Sequence, residues 1–250
     1  MRSNCDVELP RLRSISQLWS CAAVLAALGV AALALDVPLA AWAHRGLAPS
    51  FLYKICSLSE TVGHGVGILL IAVTIAVLDP ARRVALPRLL TAALGSGLAA
   101  NLLKLSLSRT RPAHFHWNGN GFDTFCDWFP LLGNSSWTQS FPSSHTAVAA
   151  GLAVVLSWMY PRGRWLFPAF AALAGGQRIL EEAHYLSDVL WGAAVGCVFA
   201  PLCVYGSTLA QFFDRLETRL AAASASRPGD TALEPLGAAE ATTHEHPRAA

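Results

Sequence analysis

This chain is short of charge. Only 14% of its 250 residues are Asp, Glu, Lys or Arg, while 54% are hydrophobic. Ordinary soluble domains carry about a quarter charged residues, so this balance, with a mean hydropathy of +0.42, excludes one. The net charge of +2 lacks the basic excess that nucleic-acid binding requires, so no nucleic-acid partner is expected. No internal repeat is visible. The six cysteines show neither metal-ligand spacing nor a disulfide framework. Cys21, Cys197 and Cys203 fall in apolar runs, where a thiol behaves as a small hydrophobe. Cys56 and Cys126 fall on one side of the chain's expected topology, which leaves a bridge between them open in an oxidising compartment.

What the chain has in abundance is long apolar runs. A helix needs roughly 20 apolar residues to cross a bilayer core, and such runs recur near 17–35, 60–78, 86–106, 145–160, 165–180 and 186–206. The fifth is short and contains Pro168. The expected fold is all-α: a polytopic six-helix transmembrane bundle, with an extracytoplasmic loop carrying part of the active site. Six spans put both termini on one side. That side collects Arg2, Arg11 and Arg13, then Arg82, Arg83 and Arg88, then Arg162 and Arg164, then Arg215 and Arg219. Cytoplasmic loops accumulate such residues, so the termini are expected in the cytoplasm of a multi-pass protein of the cell membrane. A cleaved signal peptide is the competing account of the first run, since Ala41-Trp42-Ala43 resembles a cleavage site. The run is longer than a signal core, and its removal would leave five spans. The organisation expected is a cytoplasmic segment over 1–16, a membrane domain over 17–206, and a cytoplasmic amphipathic segment and disordered tail over 207–250. His244 and His246 lie in that tail and are assigned no role.

Three short segments carry the chemistry, and all fall on the outer side. Lys104 and Arg111, in a K-x(6)-R-P pattern ending at Pro112, are seven apart, close to two helical turns. They are expected on one face as the third span leaves the membrane. A compact ammonium beside a planar guanidinium suits a phosphate dianion, although two snorkelling cations would look the same. Pro142-Ser143-Ser144-His145 opens the fourth span, placing hydroxyls and backbone N–H groups at a helix N-terminus, which favours an anion. His145 there is placed to protonate a leaving alkoxide; a capping turn with an interfacial histidine is the plainer reading. His184 and Asp188 are four apart. If the sixth helix begins near Tyr185, the carboxylate accepts one imidazole N–H and leaves the other nitrogen free to attack. Arg178 precedes His184 by six, so a turn is expected over Glu181 to Ala183 to bring it back.

The ordered set K-x(6)-R-P, P-S-x-H and R-x(5)-H-x(3)-D, from Lys104 to Asp188, resembles the type-2 phosphatidic acid phosphatase superfamily, which holds membrane lipid phosphatases and soluble vanadium haloperoxidases. The resemblance implies that His184 is the nucleophile forming a phosphohistidine, that Asp188 orients it, and that His145 protonates the departing oxygen and then activates water. It implies that Lys104, Arg111, Ser143 and Arg178 bind the phosphate. Ser144 stands where the family has glycine and would serve the phosphate through its backbone N–H, tolerable if its φ is negative. Gln177 stands where the family has serine.

The function expected is therefore a metal-independent, cofactor-free phosphatase. It would act on lipid phosphates or diphosphates at the outer face of the cytoplasmic membrane, with membrane lipids as its surroundings. Three cations and helix-end amides would meet the charge on the phosphoryl oxygens without a metal. A lipid phosphotransferase on the same site is the near alternative. A non-catalytic transporter or flippase is the distant one, and it has no use for His145, His184 and Asp188 together. The loop from Ala113 to Phe141, with Phe115, Trp117, Phe122, Phe125, Trp128, Phe129 and Trp137, is expected to lie against the outer leaflet and wall the lipid's approach. His114 and His116 are read as polar loop groups. For Glu60 and His64, also four apart, a headgroup contact and a bond between helices both stand.

Overall fold

Eight α-helices and one two-stranded ribbon account for most of residues 15–116, 119–129 and 135–225, the part of the chain described by the computed structural model. The helices are α1 (Ile15–His44), α2 (Ser50–Leu58), α3 (Gly65–Leu78), α4 (Leu86–Lys104), α5 (Ser144–Met159), α6 (Leu166–Leu180), α7 (Leu186–Val204) and α8 (Thr208–Ala225). Three helical stretches, Ile15–His44, Pro80–Lys104 and Leu186–Val204, are long and apolar enough to cross a membrane. The other three expected spans are apolar but shorter, at 14 residues for α3, 16 for α5 and 15 for α6. At about 1.5 Å per residue they reach roughly 21–24 Å. Leu69, Leu70, Val73 and Val77 of α3 and Leu94, Leu98 and Leu102 of α4 point outward, an apolar exterior that suits hydrocarbon better than water.

Inside, Ile68, Leu89, Leu152 and Val155 are fully buried among α3, α4 and α5. Close approach of the central helices rests on small residues, as membrane helix pairs do. Gly192 and Gly196 of α7 face the carbonyls of Ser143 and Ala147 in and before α5, and a Cβ at Gly192 would stand 2.3 Å from the Ser143 oxygen. α1 packs along α7, and α6 flanks α5. Arg88, 1% exposed, ties α4 to α8 through Glu217 (2.6 Å) and Asp214 (2.5 Å).

Helix ends are capped where the site forms. The Ser143 hydroxyl accepts the Thr146 N–H at the start of α5. His64 Nδ1 accepts the Val66 N–H at the start of α3. After α4 the chain turns into β1 (Leu107–Arg109), which pairs antiparallel with β2 (Phe125–Trp128), with an irregularity between Ser108 and Arg109. A three-residue strand leaves no periodicity to read: β2 falls in the loop expected over Ala113 to Phe141, and β1 falls where a helical face joining Lys104 and Arg111 was expected. Phe122, Trp128, Phe129 and Trp137 of this region are exposed; Trp117 lies outside the described residues, as do His244, His246 and the arginines before Ile15. Cys56 and Cys126 are free thiols, the first buried and the second exposed.

Candidate active site

The C-terminal ends of α4 and α6 and the N-terminal ends of α5 and α7 meet at one end of the bundle, and every motif residue is carried there. The backbone stitches them together: Ser143 N donates to the Asp188 carbonyl at 3.0 Å, and Ala113 N to the Glu182 carbonyl at 3.1 Å. Lys104, the last residue of α4, is buried and donates from Nζ to the Gln139 carbonyl at 2.7 Å. Arg111 does not share a helical face with it. The helix stops at Lys104, and β1 and the following turn bring Arg111 back, its N–H held by the Trp137 carbonyl at 2.8 Å.

α6 ends at Leu180, and residues 181–184 turn, with Glu182 at φ 54°. Within that turn the N–H groups of Ala183 and His184 both donate to the Arg178 carbonyl, at 3.1 Å each, so Arg178 and His184 stand together despite their spacing. The Arg178 side chain makes only long contacts, 3.3 Å to Gln177 Oε1 and 3.4 Å to Glu181 Oε2. Ser144 is the first residue of α5 and is not among the positive-φ residues, so the serine in place of glycine is unstrained.

His184 is buried, and its Nδ1 lies 2.6 Å from the Ser140 carbonyl. A carbonyl only accepts, so Nδ1 carries the proton and Nε2 is the basic nitrogen. This corrects the expected direct His184–Asp188 bond: the carboxylate stands 3.8 Å from Nδ1. The reason is the helix boundary. Tyr185 is the N-cap of α7 and His184 precedes it, so the four-residue spacing does not lie along a helix; Asp188 instead turns back to cap the Tyr185 N–H at 2.9 Å. Asp188 Oδ2 also accepts the Ser140 hydroxyl at 2.6 Å. Asp188 thus meets the imidazole in two ways, by its charge at 3.8 Å and through Ser140, whose carbonyl holds the ring and whose hydroxyl it accepts. Burial pushes the His184 pKa down to about 4, so the ring is neutral at neutral pH.

Lys104 and Arg111 lie close enough to both His145 and His184 for their charges to act on them, and Arg178 acts on His145. His145 also faces His64, with ring centroids 6.0 Å apart. Among the described residues four buried side-chain donors have no partner: Arg111 Nε, Arg178 Nε, Gln177 Nε2 and the Tyr185 hydroxyl. Buried donors are nearly always satisfied, so the two guanidiniums and the amide have donors left over that an anion can accept. Burial, then Arg178, push the Arg111 pKa down, against a smaller opposing effect of Asp188. Beside Arg111, Thr110, His114, Phe115, His116, Trp137 and Thr138 line a cavity of about 540 Å³.

Sequence reasoning missed the group behind His184 and Asp188. Arg109 is wholly buried, with its guanidinium between the rings of Phe125 (4.5 Å) and Tyr185 (4.2 Å). It donates to Asp188 Oδ1 (2.5 Å), Asp36 Oδ2 (2.6 Å), Ser187 Oγ (2.6 Å) and Thr124 Oγ1 (2.8 Å). Burial would lower its pKa, and the two carboxylates outweigh that, so the net shift is upward. A lone carboxylate such as Asp36 inside an apolar run is a signal that could have been used.

A helical chain with apolar flanks and a histidine-containing anion cradle at one end defines a class, and the comparisons place the chain within it. Residues 85–211 match the model of the PAP2 superfamily, more than half of the chain, and the chain belongs to that superfamily. It is 40% identical over 107 residues to the lipid A 1-phosphatase of Rhizobium johnstonii, covering 43% of this chain and 41% of that protein. To the lipid A 1-phosphatase of Rhizobium etli it is 39% identical over 114 residues, 46% of this chain and 47% of the other. The matched regions thus span less than half the length of these curated relatives. No solved structure matches.

Proposed function

We propose that this chain is a lipid phosphatase working through a phosphohistidine at the outer face of the cytoplasmic membrane, in a six-span bundle. The observation that carries the reading is the set of unpartnered cationic donors, Arg111 Nε and Arg178 Nε, beside two histidines at one end of the bundle. The relatives' names make a lipid A-like glycolipid phosphate the first substrate to try.

Phosphate oxygens rest among Lys104, Arg111, Arg178, the Gln177 amide, the Ser143 hydroxyl and the Ser144 N–H at the start of α5, the Ser143 N–H being already held by the Asp188 carbonyl. The neutral His184, its Nδ1–H fixed on Ser140, attacks phosphorus with the Nε2 lone pair. The bond from phosphorus to the lipid oxygen breaks, and His145, which enters the step as the imidazolium paired with the bound phosphate, gives that oxygen its proton and becomes neutral. The resulting phosphoimidazolium is cationic and stands beside the buried Asp188 carboxylate. His145, now a base, takes a proton from water as water attacks phosphorus; the N–P bond breaks and phosphate leaves.

The test is release of inorganic phosphate from a panel of purified lipids, including a lipid A-like 1-phosphate, a phosphatidic acid and an isoprenyl diphosphate. The expected result is turnover of at least one lipid that survives chelator and is lost by several orders of magnitude in His184→Ala. Strict dependence on magnesium, or a His184→Ala protein as active as the wild type, contradicts the reading.

A further inference from the structure

We infer that Asp36, on the first helix and outside the region matched to the family, is a positioning residue for the nucleophile, acting through Arg109, Asp188 and Ser140. The inference rests on the phosphohistidine reading above. Its ground is an unbroken chain of short contacts among groups that are wholly or almost wholly buried. Asp36 Oδ2 meets Arg109 Nη2 at 2.6 Å, Arg109 Nη1 meets Asp188 Oδ1 at 2.5 Å, Asp188 Oδ2 takes the Ser140 hydroxyl at 2.6 Å, and the Ser140 carbonyl takes the His184 Nδ1–H at 2.6 Å. Asp36, Arg109, Ser140, Ser187 and Asp188 are each 0% exposed.

Two details separate this from a generic buried ion pair. Asp36 also grips the start of α7 directly, accepting the Ser187 N–H on Oδ1 at 2.9 Å and the Ser187 hydroxyl on Oδ2. α7 is the helix whose first turn holds Asp188, so both the position and the charge partner of Asp188 depend on α1. Two carboxylates also share one guanidinium. With Asp36 present, Arg109 divides its attraction between them, and the trio keeps one net negative charge behind His184. Without the Asp36 charge, Arg109 neutralises Asp188 alone, and the field that favours a cationic phosphoimidazolium weakens. A buried charge is expensive unless used, and here the excess faces the ring that becomes positive.

The other groups around Arg109 are neutral: Thr124 Oγ1, itself donating to the Gly121 carbonyl, and the faces of Phe125 and Tyr185. The substrate cations Lys104, Arg111 and Arg178 are not hydrogen-bonded to Asp36. A change at Asp36 therefore spares ground-state binding of the phosphate and acts on the chemical step.

The experiment compares full-length wild type, Asp36→Asn, Ser187→Ala and His184→Ala in detergent, on whichever lipid phosphate the wild type hydrolyses. Asp36→Asn keeps the size and the acceptor for the Ser187 N–H while deleting the charge. The expected result is a kcat reduced roughly 10- to 100-fold with KM within about twofold of wild type, since misplaced reacting groups cost on that order. Ser187→Ala shows a smaller loss in the same direction. Wild-type kcat in Asp36→Asn, or a loss confined to KM, overturns the inference. Should Asp36→Asn fail to fold, Ser187→Ala decides: unchanged kcat overturns the inference and lowered kcat at constant KM supports it. His184→Ala keeps the two readings apart: its full activity sinks the phosphohistidine and the inference with it, whereas an inactive His184→Ala beside a wild-type kcat in Asp36→Asn overturns the inference alone.

Discussion

His184 is a residue held neutral by its surroundings. Its value of about 4 in the fold lies below the ordinary 6.5, so the unfolded chain takes up its proton first as pH falls. Stability from the neutral ring is complete above pH 6.5 and is lost as pH falls through that window toward 4. Each pKa unit corresponds to about 1.4 kcal/mol, which makes the full loss on the order of 3–4 kcal/mol. Thermal melts at about pH 7 and about pH 4.5 are expected to show a smaller acid-induced fall in Tm for His184→Gln than for wild type. Equal falls would mean that this imidazole is not the titrating group. At this scale much of the site was legible, because the three motifs name the cations and both histidines. What the sequence concealed is the partner of Nδ1. Spacing suggested the Asp188 carboxylate, and the start of α7 one residue after Tyr185 gave the role to the Ser140 carbonyl, a backbone group that no side-chain pattern reveals.

At the scale of elements, the geometry of the site depends on how closely α7 approaches the first turn of α5. Gly192 sets that distance, since its missing Cβ would collide with the carbonyl of Ser143, the N-cap of the helix proposed to receive phosphate. Gly192→Ala is expected to lower stability by about 1–3 kcal/mol and to depress activity more than a loss of that size explains, read by Tm and kcat on the same preparation. A normal kcat in a protein whose Tm has fallen would show that the α5–α7 separation does not set the reaction geometry. The later four apolar runs match α4, α5, α6 and α7 closely, whereas α1 continues past the expected end at 35 to His44, α3 begins at Gly65 rather than 60, and α2 was not anticipated. Nor was the ribbon. Leu107–Arg109 is three residues long and buries Arg109 through an irregularity in its pairing, so the continuous helical face assumed for Lys104 and Arg111 was replaced by a turn and a strand.

Across the whole molecule, the arrangement is one of polarity sorted by end. Arg88, Asp214 and Glu217 bind α4 to α8 away from the site, while the phosphate-binding candidates gather where α4, α5, α6 and α7 meet. α1 joins the two descriptions. It is the most apolar of the long helices, yet it buries Asp36 against Arg109 and Ser187. The family's matched region begins at residue 85, so this contribution lies beyond it. The reading as one reaction centre requires His145 and His184 to serve the same phosphorus atom in succession.

Acid-base work by His145 gives that requirement a direct measurement. A phosphate monoester with a leaving group that needs no protonation, such as p-nitrophenyl phosphate carrying labelled phosphorus, is mixed with His145→Ala and quenched rapidly. The account predicts label accumulating on His184, because attack proceeds while water is no longer activated, and no label in a His145→Ala, His184→Ala double variant. Label absent from His184, or found elsewhere on the chain, would contradict it.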